Sequence, residues 1–116
     1  MTEYQIDAWK KEIYNALTAI SDIATQKLEW IGPAASGAKV ISRLYDLEYN
    51  LFISYLIENE EGSRKMLAEM LRLDKMLEDY SRIKISGEKM LLDPDWHAIA
   101  YTAAQIVILW DATMEE

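Results

Sequence analysis

The chain has no cysteine, one histidine, one phenylalanine and two prolines in 116 residues. Without cysteine there are neither disulfides nor thiolate metal sites, and a reducing compartment is compatible with the composition. A di-iron helical site needs paired Glu-x-x-His motifs. The lone His97 has Pro94, not a glutamate, three positions before it. The four glycines are scattered at 32, 37, 62 and 87 and form no phosphate-cradling loop. Positive charge is also scarce: 12 Lys and Arg against 20 Asp and Glu leave a net −8. That balance disfavours nucleic-acid backbones and anionic membrane surfaces. The long uncharged run, Trp96–Trp110, is fifteen residues, short of the roughly 20 that a spanning helix needs. The opening "MTEYQIDAWKKEIYNAL" has no basic stretch leading into an apolar run, so no secretory leader is expected. A cytoplasmic, bacterial-type setting follows as an expectation.

What is present is globular in kind. Apolar residues make up 51% and charged residues 28%, enough for one domain that buries roughly two-thirds of its unfolded surface. Hydrophobic periodicity divides the chain into four segments. In the first, Ile6, Trp9, Ile13, Leu17, Ile20, Ala24, Leu28 and Ile31 step by three and four, opened by a Thr2–Gln5 capping box and stopped by Gly32–Pro33. This spacing predicts a helix over 3–31. Ser36 is a candidate cap for a second helix over 37–59, with one stripe through Val40, Leu44, Leu47 and Leu51 and another through Tyr45, Tyr49 and Phe52. Only Arg43, Asp46, Asn50, Ser54 and Glu58 form a polar stripe there. That surplus of apolar surface predicts a homodimer through this helix. A third helix, over 63–83, carries Met66, Met70, Leu73, Leu77 and Tyr80, with Glu61/Lys65 and Glu78/Arg82 at i, i+4 on its wet side. A fourth, over 94–113, starts at the cap Asp93 and Pro94 and buries Trp96, Ile99, Ala103, Ile106 and Trp110. The stretch "RIKISGEKMLL" alternates briefly around Ser-Gly, which leaves a short β-hairpin near 82–92 as an alternative to a loop. The expected fold is all-α: a single-domain, antiparallel four-helix bundle over 1–116.

Charge placement carries the functional reading. From Leu44 to Ser63 there are five acids and no Lys or Arg, and from Met90 to Glu116 again five acids and no Lys or Arg. In an up-down-up-down bundle these two segments run parallel. Glu58, Glu60 and Glu61 would then share one end with Asp111, Glu115 and Glu116. Acids at a helix C-terminus oppose the dipole, and such local conflicts can mark function. The short, acidic, cysteine-free helical chain is of the immunity or antitoxin kind. The expectation is an inhibitor that captures a basic toxin or effector, with Tyr45 and Tyr49 as neighbouring aromatic anchors.

Two alternatives come from other classes. His97, Tyr101 and Gln105 stand at i, i+4 and i+8 and would be the polar contacts of a small ligand if they faced a cleft; otherwise they are a solvated helix edge. The other alternative is a homo-oligomeric accessory subunit. No nucleophile–base arrangement is legible, so no enzymatic activity is expected. Glu58 and Glu61 match the first half of the Glu-x-x-Glu, Glu-x-x-Asp magnesium pattern of all-α nucleotide pyrophosphohydrolases, but no Glu-x-x-Asp follows. No metal or cofactor is expected.

Overall fold

The computed structural model describes residues 2–30, 38–80 and 87–114. Within them the backbone is helical and carries no strand. Seven helices occur among the described residues: α1 Glu3–Ser21, α2 Ile23–Glu29, α3 Ala38–Asp46, α4 Tyr49–Glu58, α5 Arg64–Tyr80, α6 Gly87–Met90 and α7 Pro94–Thr113. The expected Gly32–Pro33 stop and Ser36 cap lie outside the described residues.

α1 begins as its sequence dictates. The Gln5 amide N–H donates to Thr2 Oγ1 at 3.2 Å, and the Thr2 N–H donates to Gln5 Oε1 at 2.9 Å, so two orphan donors are satisfied reciprocally. The expected continuous helix over 3–31 is corrected at Asp22. The Asp22 carboxylate accepts from the Thr25 amide at 3.0 Å and from the Thr25 hydroxyl at 2.6 Å. A short polar side chain thus captures the backbone of a new first turn, and the old helix stops. The break also turns the buried face. Ala24 and Leu28, on the expected stripe, are exposed, whereas Gln26 and Trp30 are buried.

The expected helix over 37–59 is likewise two. Glu48 sits in the left-handed region (φ 61°, ψ 52°) and separates α3 from α4. The Trp9 indole N–H donates to the Leu47 carbonyl at 2.7 Å, supplying a partner to an oxygen at the interruption. Beyond the break Tyr49, Phe52, Ile53 and Leu56 are buried, and Leu51, on the other expected stripe, is 57% exposed. Tyr49 and Phe52 of the aromatic stripe are therefore core and Tyr45 is half-buried, so the apolar surplus expected on this helix narrows to the exposed Leu51 and Ile57. Phe52 stacks on Trp110 with ring centroids 5.7 Å apart and meets Trp9 edge-on at 5.0 Å.

α5 and α7 follow their periodicity: Met66, Met70, Leu73, Leu77 and Tyr80 face Trp96, Ile99, Ala103, Ile106 and Trp110, all buried. Ser63 caps α5, its hydroxyl accepting from the Met66 amide at 3.1 Å. The expected hairpin near 82–92 is corrected where it is described, because Gly87–Met90 is a helical turn followed by a bend into the Asp93 cap. Residues 82–86 lie outside the described part.

Neighbouring helices run antiparallel. Tyr14 meets Trp110 and Gln26 meets Trp96, so rising positions in α1–α2 meet falling positions in α7. Met66 meets Thr113 and Met76 meets Thr102 in the same sense between α5 and α7. Tyr45 meets Asp74 and Tyr49 meets Met70 between α3–α4 and α5. The result is a compact body of 42 × 25 × 25 Å around one core. Among the described residues no helix is long and apolar enough to cross a membrane.

Candidate partner-binding surface

The turn between α4 and α5 places one of its acids in an unusual backbone position. The Glu60 amide donates to the Ile57 carbonyl at 3.2 Å, and the Glu61 amide donates to the Leu56 carbonyl at 2.9 Å. This is the Schellman closure of a helix C-terminus, whose left-handed position glycine normally fills. Here Glu60 fills it at φ 53°, and Gly62 follows at φ 79°. A Cβ on Gly62 would stand 2.6 Å from Met66 Cε, so the turn closes tightly on the core.

Glu61 does not pair with Lys65 as its spacing suggested. It accepts from the Lys10 ammonium of α1 at 2.6 Å. That charge-assisted bond, helped by the Tyr55 hydroxyl and opposed by desolvation, holds the Glu61 carboxyl below its ordinary value. The Tyr55 phenol is pushed up in turn, first by its bond to Glu61 and then by desolvation. Lys10 Nζ also lies 5.9 Å from the centre of the Tyr55 ring, within cation–π range.

One turn along α1, the Tyr14 hydroxyl donates to Asp111 at 2.9 Å. The two acidic stretches therefore meet through α1: Glu61 beside Lys10 and Asp111 beside Tyr14. Between them runs an open groove of about 410 Å³, lined by Asp7, Lys10, Lys11, Tyr14, Asn15, Trp110 and Met114. Glu58 and Glu60 are exposed nearby in sequence. Glu115 and Glu116 lie outside the described residues.

The expected aromatic anchors are placed otherwise. Tyr49 is wholly buried, its hydroxyl donating to the Met70 carbonyl at 2.6 Å, so it offers a partner nothing. Tyr45 is half-buried and donates to Asp74 Oδ1 at 3.2 Å. With its side-chain nitrogen turned towards Asp74, Asn50 donates to both carboxylate oxygens at 3.1 and 3.2 Å. Desolvation, then the Asp74 charge, pushes the Tyr45 phenol well up. Ile57, beside Glu58 on α4, and Tyr4, in the first turn of α1, are exposed large side chains. Sequence reasoning missed both; Tyr4 falls outside the apolar stripe of α1, which is the available signal.

His97, Tyr101 and Gln105 do form a line on α7, but it faces outward: His97 and Tyr101 are exposed and Gln105 is half-buried. The His97 Nε2–H donates to the Leu91 carbonyl at 2.6 Å, which ties the turn after α6 to the first turn of α7. Of the three, only His97 borders the open groove of about 800 Å³ lined also by Lys27, Trp30, Glu88, Leu91, Leu92 and Pro94. Among the described residues no group of three His, Asp or Glu side chains could hold a metal ion.

No protein-family model, curated protein or solved structure matches this chain.

Proposed function

We propose that this protein is a small, non-catalytic, cytoplasmic binding module of the immunity or antitoxin kind. On this reading α1–α2, α3–α4, α5 and α7 act as the four rods of an antiparallel bundle, and a basic toxin or effector docks against the end where the α4–α5 turn meets the last turns of α7. One observation carries the reading: Glu61 and Asp111, 50 positions apart in sequence, stand on adjacent turns of α1 through Lys10 and Tyr14. Exposed Glu58 and Glu60 supply unburied charge for steering a cationic partner. Tyr4 and Ile57 supply apolar contact in place of Tyr45 and Tyr49.

The test is affinity capture from the native host with the tagged chain and with the Glu58→Lys, Glu60→Lys double variant, washed at low and then high salt. One stoichiometric basic protein, released by salt and absent with the double variant, supports the reading. Recovery of the bait alone, or of a partner indifferent to the double variant, overturns it. The small-ligand alternative is weakened because Tyr101 and Gln105 do not line the groove that His97 borders.

A further inference from the structure

Two of the four indoles donate inside the protein, Trp9 to the Leu47 carbonyl and Trp96 to Gln26. Trp30 is only 7% exposed and its ring tilts against Trp96, with centroids 5.8 Å apart. Yet its N–H meets no acceptor among the described residues. A buried indole N–H ordinarily finds a partner. Nor is this one sealed in the core, because no fully buried side-chain nitrogen or oxygen among those residues lacks a hydrogen bond. The Trp30 N–H therefore opens where the residue reaches the surface.

Trp30 reaches the surface at two places. One is a cleft of about 280 Å³ whose charged residues are Asp22 and Glu29. The other is the groove of about 800 Å³ beside the first turn of α7, a size that accommodates a small molecule. The walls of this groove are mainly apolar: Leu91, Leu92 and Pro94 join the Trp30 ring, and Leu92 is 85% exposed. Lys27, three residues before Trp30, brings a cation to the same groove. The His97 Nε2–H donates to the Leu91 carbonyl, so it fixes the wall. Glu88, the acid on the rim, has a partner of its own.

We infer that the larger groove binds an apolar carboxylate, a small organic acid with an alkyl or aryl tail. The indole N–H and the Lys27 ammonium are donors without acceptor capacity, and the ammonium strengthens its bond when the acceptor is anionic. Two donors match the two oxygens of a carboxylate, while the tail covers Leu91, Leu92 and Pro94 and removes them from water. The smaller cleft repels an anion through Asp22 and Glu29. This site is not the expected His97–Tyr101–Gln105 line, of which only His97 borders the groove. It lies about 20 Å along α7 from Asp111, at ~1.5 Å per residue. It therefore stands or falls apart from the partner proposed at the acidic end.

The test is a titration of the isotopically labelled full chain with octanoate, beside octanol and octylamine, following the four indole N–H signals by nuclear magnetic resonance. Trp30→Phe assigns the Trp30 signal. Trp110 is the internal control: its N–H also meets no acceptor among the described residues, but it lines the groove at the acidic end. The expected result is a saturable octanoate shift at Trp30 that exceeds the shifts at Trp9, Trp96 and Trp110. Lys27→Met, checked for folding by helical circular dichroism, should weaken octanoate binding by about tenfold. No saturation up to about 10 mM, an equal shift at Trp110, or unchanged affinity in Lys27→Met overturns the inference. Octanol or octylamine binding as tightly as octanoate overturns the choice of a carboxylate.

Discussion

Trp96 donates its indole N–H to Gln26 Oε1 at 2.9 Å across 70 residues of chain. Through its amide nitrogen, Gln26 donates to the carbonyls of Ala19 at 2.7 Å and Ile20 at 3.0 Å. One buried side chain thus answers the carbonyls of the last turns of α1, ahead of the break at Asp22, and ties α2 to the first turn of α7. Gln26→Ala leaves an indole N–H and two carbonyls short of partners in the core. The expected loss is about 3 kcal/mol, summed from ~1–3 kcal/mol per unsatisfied group with partial relaxation. Urea unfolding measures it. A loss below about 1 kcal/mol would mean that water replaces the amide.

Backbone conformation gives a second prediction, with opposite signs at the two turns that flank α4. Glu48 and Glu60 are non-glycine residues at φ 61° and 53°, positions that cost an L-residue about 1 kcal/mol. Glu48→Gly should raise unfolding stability by ~0.5–1 kcal/mol, because glycine removes the strain and adds only chain entropy. Gly62→Ala should lower it by about 2 kcal/mol, since it combines an unfavourable φ with a Cβ 2.6 Å from Met66 Cε. Thermal or urea unfolding of the two variants checks both signs.

Acid should loosen the end where the candidate surface lies. The Glu61 carboxyl is held below its ordinary value of 4.5, chiefly by Lys10. A carboxyl with a depressed folded pKa contributes stability above its unfolded pKa and loses it as pH falls through the folded one. Asp22, lowered by its bonds from Thr25, adds the same sign. Stability should therefore decline below about pH 4.5. Glu61→Gln should flatten part of that decline, by less than about 1 kcal/mol because the pair is partly exposed. A variant whose acid profile overlays the parent's would show that the Lys10–Glu61 pair contributes nothing.

At the alkaline limit the sign reverses. Tyr45, Tyr49 and Tyr80 are pushed above the ordinary phenol value of 10.0 mainly by desolvation, and Tyr55 mainly by its bond to Glu61. The unfolded chain ionises these phenols first, so their contribution is present below pH 10 and is lost as pH rises above it. Ultraviolet titration should show a late phenolate fraction that appears together with the loss of helical circular dichroism. Full ionisation of all the tyrosines while the helices persist would contradict the burial of Tyr49.

The charge-reversed double variant Glu58→Lys, Glu60→Lys should keep its stability within about 0.5 kcal/mol of the parent, as exposed substitutions generally do. Its effect should fall on partner capture and on the salt dependence of that capture. A large loss of stability would instead assign these acids to the fold.

Much of the helix plan was legible because a 3.6-residue period is a local property. The faces of α5 and α7, the Thr2–Gln5 box and the Asp93 cap before Pro94 were read correctly from spacing alone. The break at Asp22 had a readable signal in Asp22 and Thr25, outweighed by a stripe that continued past it through Ala24 and Leu28 to Ile31. Nothing local announced the break at Glu48, since glutamate has no preference for a left-handed position. Nor did anything local announce that Tyr49 faces Met70 rather than solvent. Sequence by itself therefore determined the helical class, the charge of −8 and the faces of the uninterrupted helices. Tertiary structure alone decided the rest: the pairing of Glu61 with Lys10 and of Gln26 with Trp96, the core position of the expected anchor Tyr49, and the outward turn of His97 and Tyr101 on α7. Contacts 51 and 70 residues apart form only when packing brings their helices together, and no period within either helix encodes them.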